Sequence, residues 1–211
     1  IFSLKIIHSE IHMPGYGVWI KTLNILTNSE FGFVLGDILV SSLSIYIIYL
    51  ISNEIFNDLN VAKISALIFA IYPFSIFYSI SGLTETLFVF LFFSGILMLY
   101  KEKILNASVF FVLSIYVKST ADLISPFIII TFCIFLKRFN IKKTFLFLSL
   151  YFLIYVIFLS PWWYHNYLKY NSFVRLNLAA NYHLYSGNNP KNKTGGGIGG
   201  VDVDHTIITK K

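Results

Sequence analysis

Six long apolar stretches dominate this sequence of 211 residues. A helix needs about 20 apolar residues to cross the roughly 30 Å hydrocarbon core of a bilayer, and each stretch reaches or approaches that length. The runs are continuous and do not alternate between apolar and polar residues, which excludes β-barrel strands. The sequence therefore predicts an all-α, multi-pass transmembrane helical bundle with about six transmembrane helices, placed near 31–52, 64–81, 84–100, 104–117, 123–136 and 144–160.

The composition agrees with a membrane protein. Hydrophobic residues make up 56% of the chain and charged residues 12%, about half the charged fraction of a typical soluble domain. The net charge is +6, but Lys and Arg form short clusters between the apolar runs, and the aromatic residues lie inside those runs. This distribution indicates no nucleic-acid partner and favours membrane lipids as the surroundings.

The basic residues also predict an orientation. If successive loops alternate sides, one set holds seven basic residues and the other set holds only Lys118. Cytoplasmic loops carry an excess of Lys and Arg, so we expect the first set to be cytoplasmic. Its members are Lys63, Lys101, Lys103, Lys137, Arg138, Lys142 and Lys143.

Three regions follow from this arrangement. Residues 1–30 are expected to form an external interfacial segment, residues 31–162 the transmembrane domain, and residues 163–211 an external loop or tail with a Gly-rich stretch at 194–200. The sequence starts at Ile1 without an initiator Met, so we interpret it as part of a longer chain whose polar tail begins a truncated region.

Most of the polar residues that could take part in catalysis or binding lie on the predicted external side. Each has a structural interpretation as well, since Glu85 suits the first turn of a helix, Asp122 suits a helix N-cap, and Lys118 suits a helix C-terminus. Asp37 lies inside the first span, where an acid marks either a functional site or a wet cavity. The five His show no metal-ligand spacing, so the spacing predicts no metal site, and a requirement for a divalent metal stays open. No cofactor is expected. The external group comprises Glu10, His12, Glu85, Lys118, Asp122 and His165.

Four short strings occur in order along the chain. They are Met13-Pro14-Gly15-Tyr16; Tyr72-Pro73 followed by Leu83-Thr84-Glu85-Thr86-Leu87-Phe88; Tyr116-Val117-Lys118-Ser119-Thr120; and Ser160-Pro161-Trp162 through Asn166-Tyr167 with Tyr185-Ser186-Gly187-Asn188-Asn189-Pro190. Together they resemble motifs of the polytopic C-type glycosyltransferases, the group that includes protein O-mannosyltransferase-like and lipid A aminoarabinose transferase-like enzymes.

The resemblance implies transfer of a sugar, with inversion, from a polyprenyl-phosphate donor to a glycan, lipid or protein acceptor. It implies an integral protein of a bacterial cytoplasmic membrane with its site facing outward. Lys118 and His165 would lie near the donor phosphate, Asn166 beside them, Glu85 would line the catalytic site, and Tyr16 would border it.

The chain departs from the family pattern at several positions. Lys118 and His165 stand where the family commonly has Arg, which loses the bidentate fork and makes the second charge pH-dependent. The catalytic base is expected upstream of Ile1, with Glu10 as a substitute within this sequence. Two alternatives stay open: a transporter, which Asp37 would suit, and a lipid-handling or assembly protein without glycosyl transfer.

Overall fold

The computed structural model describes residues 13–137, 139–177, 188 and 192. Across these residues the chain is helical and contains no strand, which confirms the predicted all-α class. The helices are α1 (Gly15–Thr27), α2 (Gly32–Phe56), α3 (Leu59–Ile71), α4 (Pro73–Ile80), α5 (Glu85–Tyr100), α6 (Ile104–Val117), α7 (Ala121–Thr131), which continues as a π-helical turn at Phe132–Leu136, and α8 (Ile141–Tyr170).

The helices differ in how far they could reach across a bilayer. In the described part of the chain, α2 and α8 have 25 and 30 residues and are long and apolar enough to cross a membrane singly, and α3 with α4 forms a bent third candidate. The other apolar helices, α5, α6 and α7 with its π turn, have 10–17 residues. At 1.5 Å per residue, 16 residues span about 24 Å, less than the hydrocarbon core. Length and composition thus support two or three full spans.

The second expected span, 64–81, is broken. Helices α3 and α4 meet at an angle of 54° between Tyr72 and Pro73. Proline disfavours helical backbone in the residue before it, and Tyr72 is extended, with φ −66° and ψ 116°. The apolar pattern alone did not separate the two helices, because both sides of the break are equally hydrophobic.

The sixth expected span continues ten residues beyond residue 160. Pro161 lies inside α8 and has no N–H to donate to the carbonyl of Ile157. The Ser160 hydroxyl donates to that carbonyl instead, at 3.0 Å. This substitute bond satisfies the freed acceptor, so α8 runs on through the aromatic segment to Tyr170.

Small residues occupy the helix interfaces and large apolar residues cover the outside. Ala62, Ala107 and Ala121 are fully buried, whereas Leu67, Phe127 and many other large side chains are exposed. This distribution is typical of helices that pack in lipid, where small residues allow close approach. Buried serines satisfy their hydroxyls on backbone carbonyls of their own helices, as Ser44, Ser94, Ser108 and Ser125 do.

Close packing joins three helices at one end of the bundle. A Cβ added to Gly15, the first residue of α1, would lie 2.6 Å from the Tyr116 carbonyl oxygen, so only glycine lets α1 rest on α6 there. The Tyr116 hydroxyl donates to the Phe158 carbonyl and ties α6 to α8. We call this the polar end, formed by the N-termini of α1, α2, α5 and α7 and the C-termini of α6 and α8. The opposite end, where Lys101, Lys103, Lys137 and Lys143 adjoin the helix termini, is called the basic end.

Candidate functional site

An ion pair between Lys118 and Glu85 lies at the polar end. Lys118 ends α6 and Glu85 begins α5, and the Lys118 Nζ donates to Glu85 Oε1 at 2.8 Å. The two side chains are 37% and 30% exposed, so the pair lies at the surface of the protein. The Thr84 hydroxyl donates to the other Glu85 oxygen at 3.3 Å, and the Phe88 ring lies 5.9 Å from the Lys118 ammonium.

Local backbone chemistry explains this placement. Glu85 occupies the first turn of α5, where the positive end of the helix dipole stabilises a carboxylate. The α4–α5 turn reaches it through Gly82, whose φ of +65° is a left-handed conformation that glycine adopts at little cost. Lys118 leaves α6 in an extended conformation, and its carbonyl accepts the Ala121 N–H at 3.2 Å in the α6–α7 turn.

Tyr16 binds a buried carboxylate in the second turn of α2. Its hydroxyl donates to Asp37 Oδ2 at 2.6 Å, and Trp19 Nε1 donates to Asp37 Oδ1 at 2.9 Å. Asp37 has no exposed surface. Burial raises the pKa of Tyr16 above its ordinary value, and the bond to Asp37 acts in the same direction. Tyr16 packs with Leu87 and Val117, which places it beside the residues that follow Glu85 and precede Lys118.

Asp122 is the centre of a second charged cluster. Its side chain was expected to cap α7, but that expectation is wrong, because the residue lies inside the first turn and its oxygens bind tertiary partners. The Tyr155 hydroxyl donates to Asp122 Oδ1 and Arg175 Nη2 donates to Oδ2, both at 2.6 Å. Arg175 Nε also donates to the Tyr155 hydroxyl at 3.2 Å, and this bond raises the pKa of Arg175.

Asn166 and two tryptophans hold the segment 173–177 against the end of α8. Asn166 is buried, and its amide donates to the carbonyl oxygens of Val174 at 3.0 Å and Leu176 at 3.5 Å. Trp162 Nε1 donates to the Leu176 carbonyl and Trp163 Nε1 to the Arg175 carbonyl, each at 2.7 Å. The predicted contact of Asn166 with substrate stays a prediction, because these bonds engage its amide with backbone.

His165 lies near the C-terminus of α8. The His165 ring is exposed and stacks on Trp162, with 5.3 Å between ring centroids and 17° between planes. Glu10 lies outside the described residues, as does His12. The predicted role of His165 near the donor phosphate and that of Glu10 as a substitute base therefore stay predictions.

A small, half-open cavity lined by α2, α3, α4 and α5 borders Glu85. Its volume is about 40 Å³, and the buried Thr86 Oγ1 that lines it has no hydrogen-bond partner. Such a volume suits about one water molecule. The polar residues that line the cavity are Ser41, Ser44, Ser75, Tyr78, Glu85 and Thr86.

Among the residues that the structure describes, no group of three His, Cys, Asp or Glu could hold a metal ion.

The structure brings Tyr16, Glu85, Lys118 and the Asn166–His165 pair to the same end of the bundle. Sequence reasoning placed Lys118 and Asp122 at consecutive helix termini without tertiary partners, and each takes a different one. It missed Arg175 and Tyr155 altogether. Nothing in the local pattern marked Arg175, since the Asp122 it binds is 53 residues away in the sequence.

These features define a polytopic helical membrane protein with two carboxylate–cation pairs and several aromatic donors at one end. The family model described as dolichyl-phosphate-mannose-protein mannosyltransferase matches residues 12–165. The chain therefore belongs to this family of membrane glycosyltransferases, which confirms the resemblance stated from the motifs. No curated protein and no solved structure matches the chain.

Proposed function

We propose that the polar end transfers a sugar from a polyprenyl-phosphate donor to an acceptor hydroxyl. The observation that carries the proposal is the Lys118–Glu85 pair, partly exposed beside Tyr16 at the end where helix termini converge. Membership of the family supports glycosyl transfer in general, and the family description names a lipid-phosphate-linked mannose. The donor, acceptor and stereochemical course are part of this proposal.

The chemistry needs charge stabilisation at the departing phosphate. The acceptor oxygen attacks the anomeric carbon, the bond from that carbon to the phosphate oxygen breaks, and polyprenyl phosphate leaves as an anion. A single displacement of this kind inverts the anomeric carbon. Lys118 is the cation assigned to the developing negative charge, and a preorganised donor beside a low-dielectric interior is effective for this task.

Glu85 then has two roles. It fixes the Lys118 ammonium in one position at 2.8 Å, and it lines the site on the side of the small cavity. His165 is proposed as a second donor to the phosphate, because its exposed ring lies at the same end of the bundle. The proton of the acceptor passes to a carboxylate base, for which Glu10 is the substitute candidate within this sequence.

The membrane side follows from the charge distribution. Lys63, Lys101, Lys103, Lys137 and Lys143 adjoin the helix termini away from the polar end. Cytoplasmic loops are the basic ones, so we propose that the polar end faces outward. The buried Asp37 gives a transporter little support, because its two oxygens accept hydrogen bonds from the Tyr16 hydroxyl and the Trp19 N–H.

The test uses the full chain in proteoliposomes with polyprenyl-phosphate mannose as donor and an added hydroxyl compound as acceptor. We expect release of polyprenyl phosphate from the wild-type protein and slower release from Lys118→Ala and His165→Ala, with expression unchanged. Lys21→Ala, an exposed change on α1, serves as the control. Normal turnover in both site variants would reject their phosphate-side roles, and absence of any turnover with the wild type would reject this donor.

A further inference from the structure

Arg175 is a cation of the polar end that has no role in the sugar transfer proposed above. It lies beyond residues 12–165, the part of the chain that matches the family model. Trp163 donates to its carbonyl oxygen, and bonds to the carbonyls of Val174 and Leu176 hold its neighbours. The Asn177 amide donates to Ser119 Oγ at 3.3 Å, so the segment also contacts the turn that follows Lys118.

The guanidinium of Arg175 is oriented from one side only. Its Nε and Nη2 bind the Tyr155 hydroxyl and Asp122 Oδ2. The Asp122 side chain is 4% exposed, whereas the Arg175 side chain is 55% exposed. A guanidinium has five N–H groups in a rigid fork, so these two bonds leave donors on its exposed edge.

The surroundings make an anion the suitable ligand for that edge. The buried carboxylate fixes the plane of the guanidinium, and a fixed planar fork can donate two parallel bonds to a phosphate. Lys118 is a point charge already bound to Glu85, and an imidazole such as that of His165 offers no fork. Arg175 therefore supplies a geometry that Lys118 and His165 lack.

We propose that the exposed edge of Arg175 binds the phosphate of the polyprenyl donor, with Asp122 and Tyr155 as positioning residues. This inference rests on the proposed function and assigns its phosphate subsite. Asp122 does not act as the base, since both of its oxygens are engaged by Tyr155 and Arg175. Its contribution is to hold the fork in the orientation that the leaving phosphate needs.

The test measures binding of undecaprenyl phosphate, without a sugar, to the full chain in lipid nanodiscs. Charge-assisted hydrogen bonds contribute enough that Arg175→Gln should raise Kd about tenfold to a hundredfold. Arg175→Lys keeps the charge but loses the fork, so it should recover only part of the affinity. Lys169→Gln, a change of another cation near the same end of α8, is the matched control and should leave Kd unchanged.

Asp122→Asn separates positioning from binding. The variant keeps the shape of the side chain but weakens the hold on Arg175, so we expect kcat for sugar transfer to fall while Kd for undecaprenyl phosphate changes by less than about threefold. Retained kcat in Asp122→Asn would overturn the positioning role. Thermal unfolding of every variant in the same nanodiscs identifies those that have lost their fold. If Arg175→Gln is one of them, the Kd of Arg175→Lys tests the assignment instead.

The outcomes distinguish the assignment of Arg175 from the proposed sugar transfer on which it rests. If the wild-type protein does not bind undecaprenyl phosphate, both proposals fail. If it binds and Arg175→Gln and Arg175→Lys bind equally well, only the assignment of Arg175 fails. If phosphatidylglycerol at equal density displaces the probe, the site recognises anionic headgroups in general, and the assignment to the donor phosphate is overturned.

Discussion

The two ends of the bundle use the same residue types in different surroundings. At the basic end, Glu102 lies between Lys143 Nζ at 3.0 Å and Lys137 Nζ at 3.5 Å, and all three side chains are at least 34% exposed. At the polar end, Asp122 and Asp37 are buried and bonded by aromatic side chains. Exposed pairs contribute little because water competes for both charges, whereas buried carboxylates depend on each partner. The buried carboxylates of the polar end are therefore specific in position, whereas the exposed charges of the basic end contribute little to stability.

Exchanging the members of one ion pair at each end should give the largest contrast. The double variant Glu85→Lys with Lys118→Glu preserves a pair at the polar end but moves the cation, so we expect sugar transfer to fall by about 10² to 10³. The corresponding exchange at the basic end, Glu102→Lys with Lys143→Glu, should leave transfer unchanged. Turnover of polyprenyl-phosphate mannose measures both, and equal losses would contradict the distinction between the ends.

Removing the buried carboxylate of α2 should give the largest loss of stability. Asp37→Ala leaves the Tyr16 hydroxyl and the Trp19 N–H without their acceptor, at a cost of about 1–3 kcal/mol for each unsatisfied group. Ser42→Ala on the same helix is the control, since that exposed hydroxyl bonds only its own backbone. Unfolding in detergent followed by circular dichroism compares the two, and similar midpoints would show that the Asp37 contacts are dispensable.

Neutralising the exposed acid at the basic end should have a smaller effect. Glu102→Gln removes two surface ion pairs, and exposed pairs are each worth less than about 1 kcal/mol. We expect a shift in the same unfolding assay well below that of Asp37→Ala, and a further reduction of the difference at high salt. A loss of stability as large as that of Asp37→Ala would contradict the small contribution expected of the exposed Glu102 ion pairs.

The pH dependence of Glu102 should be the smallest effect of the series. The hydrogen bond from Lys143 lowers the pKa of Glu102 from its ordinary value of 4.5. A carboxylate with a depressed pKa in the folded state stabilises the protein above its unfolded pKa and loses that contribution as the pH falls through the folded value. Wild type and Glu102→Gln should therefore differ at pH 6, and the difference should shrink as the pH falls through the lowered folded-state pKa. A difference that grows on acidification would contradict this sign.

Much of the fold could be predicted, because helices in a membrane must be apolar over their length. The boundaries of α6 agree with the expected 104–117, and α5 begins one residue after its expected start. The bend at Tyr72 and the continuation of α8 through Pro161 were missed. Both depend on how one proline is accommodated, and hydrophobicity does not distinguish a proline that breaks a helix from one whose freed carbonyl is satisfied by a neighbouring serine.

The sequence by itself determined the helical class, the family, and the presence of Glu85 and Lys118 at helix termini, because the apolar pattern and the short motifs are local signals. Only the tertiary structure decided the partners of these charges. Lys118 binds Glu85, 33 residues away, and Asp122 binds Arg175, 53 residues away. Such pairings depend on which helix ends meet, and that is set by packing across the bundle, including the close approach at Gly15.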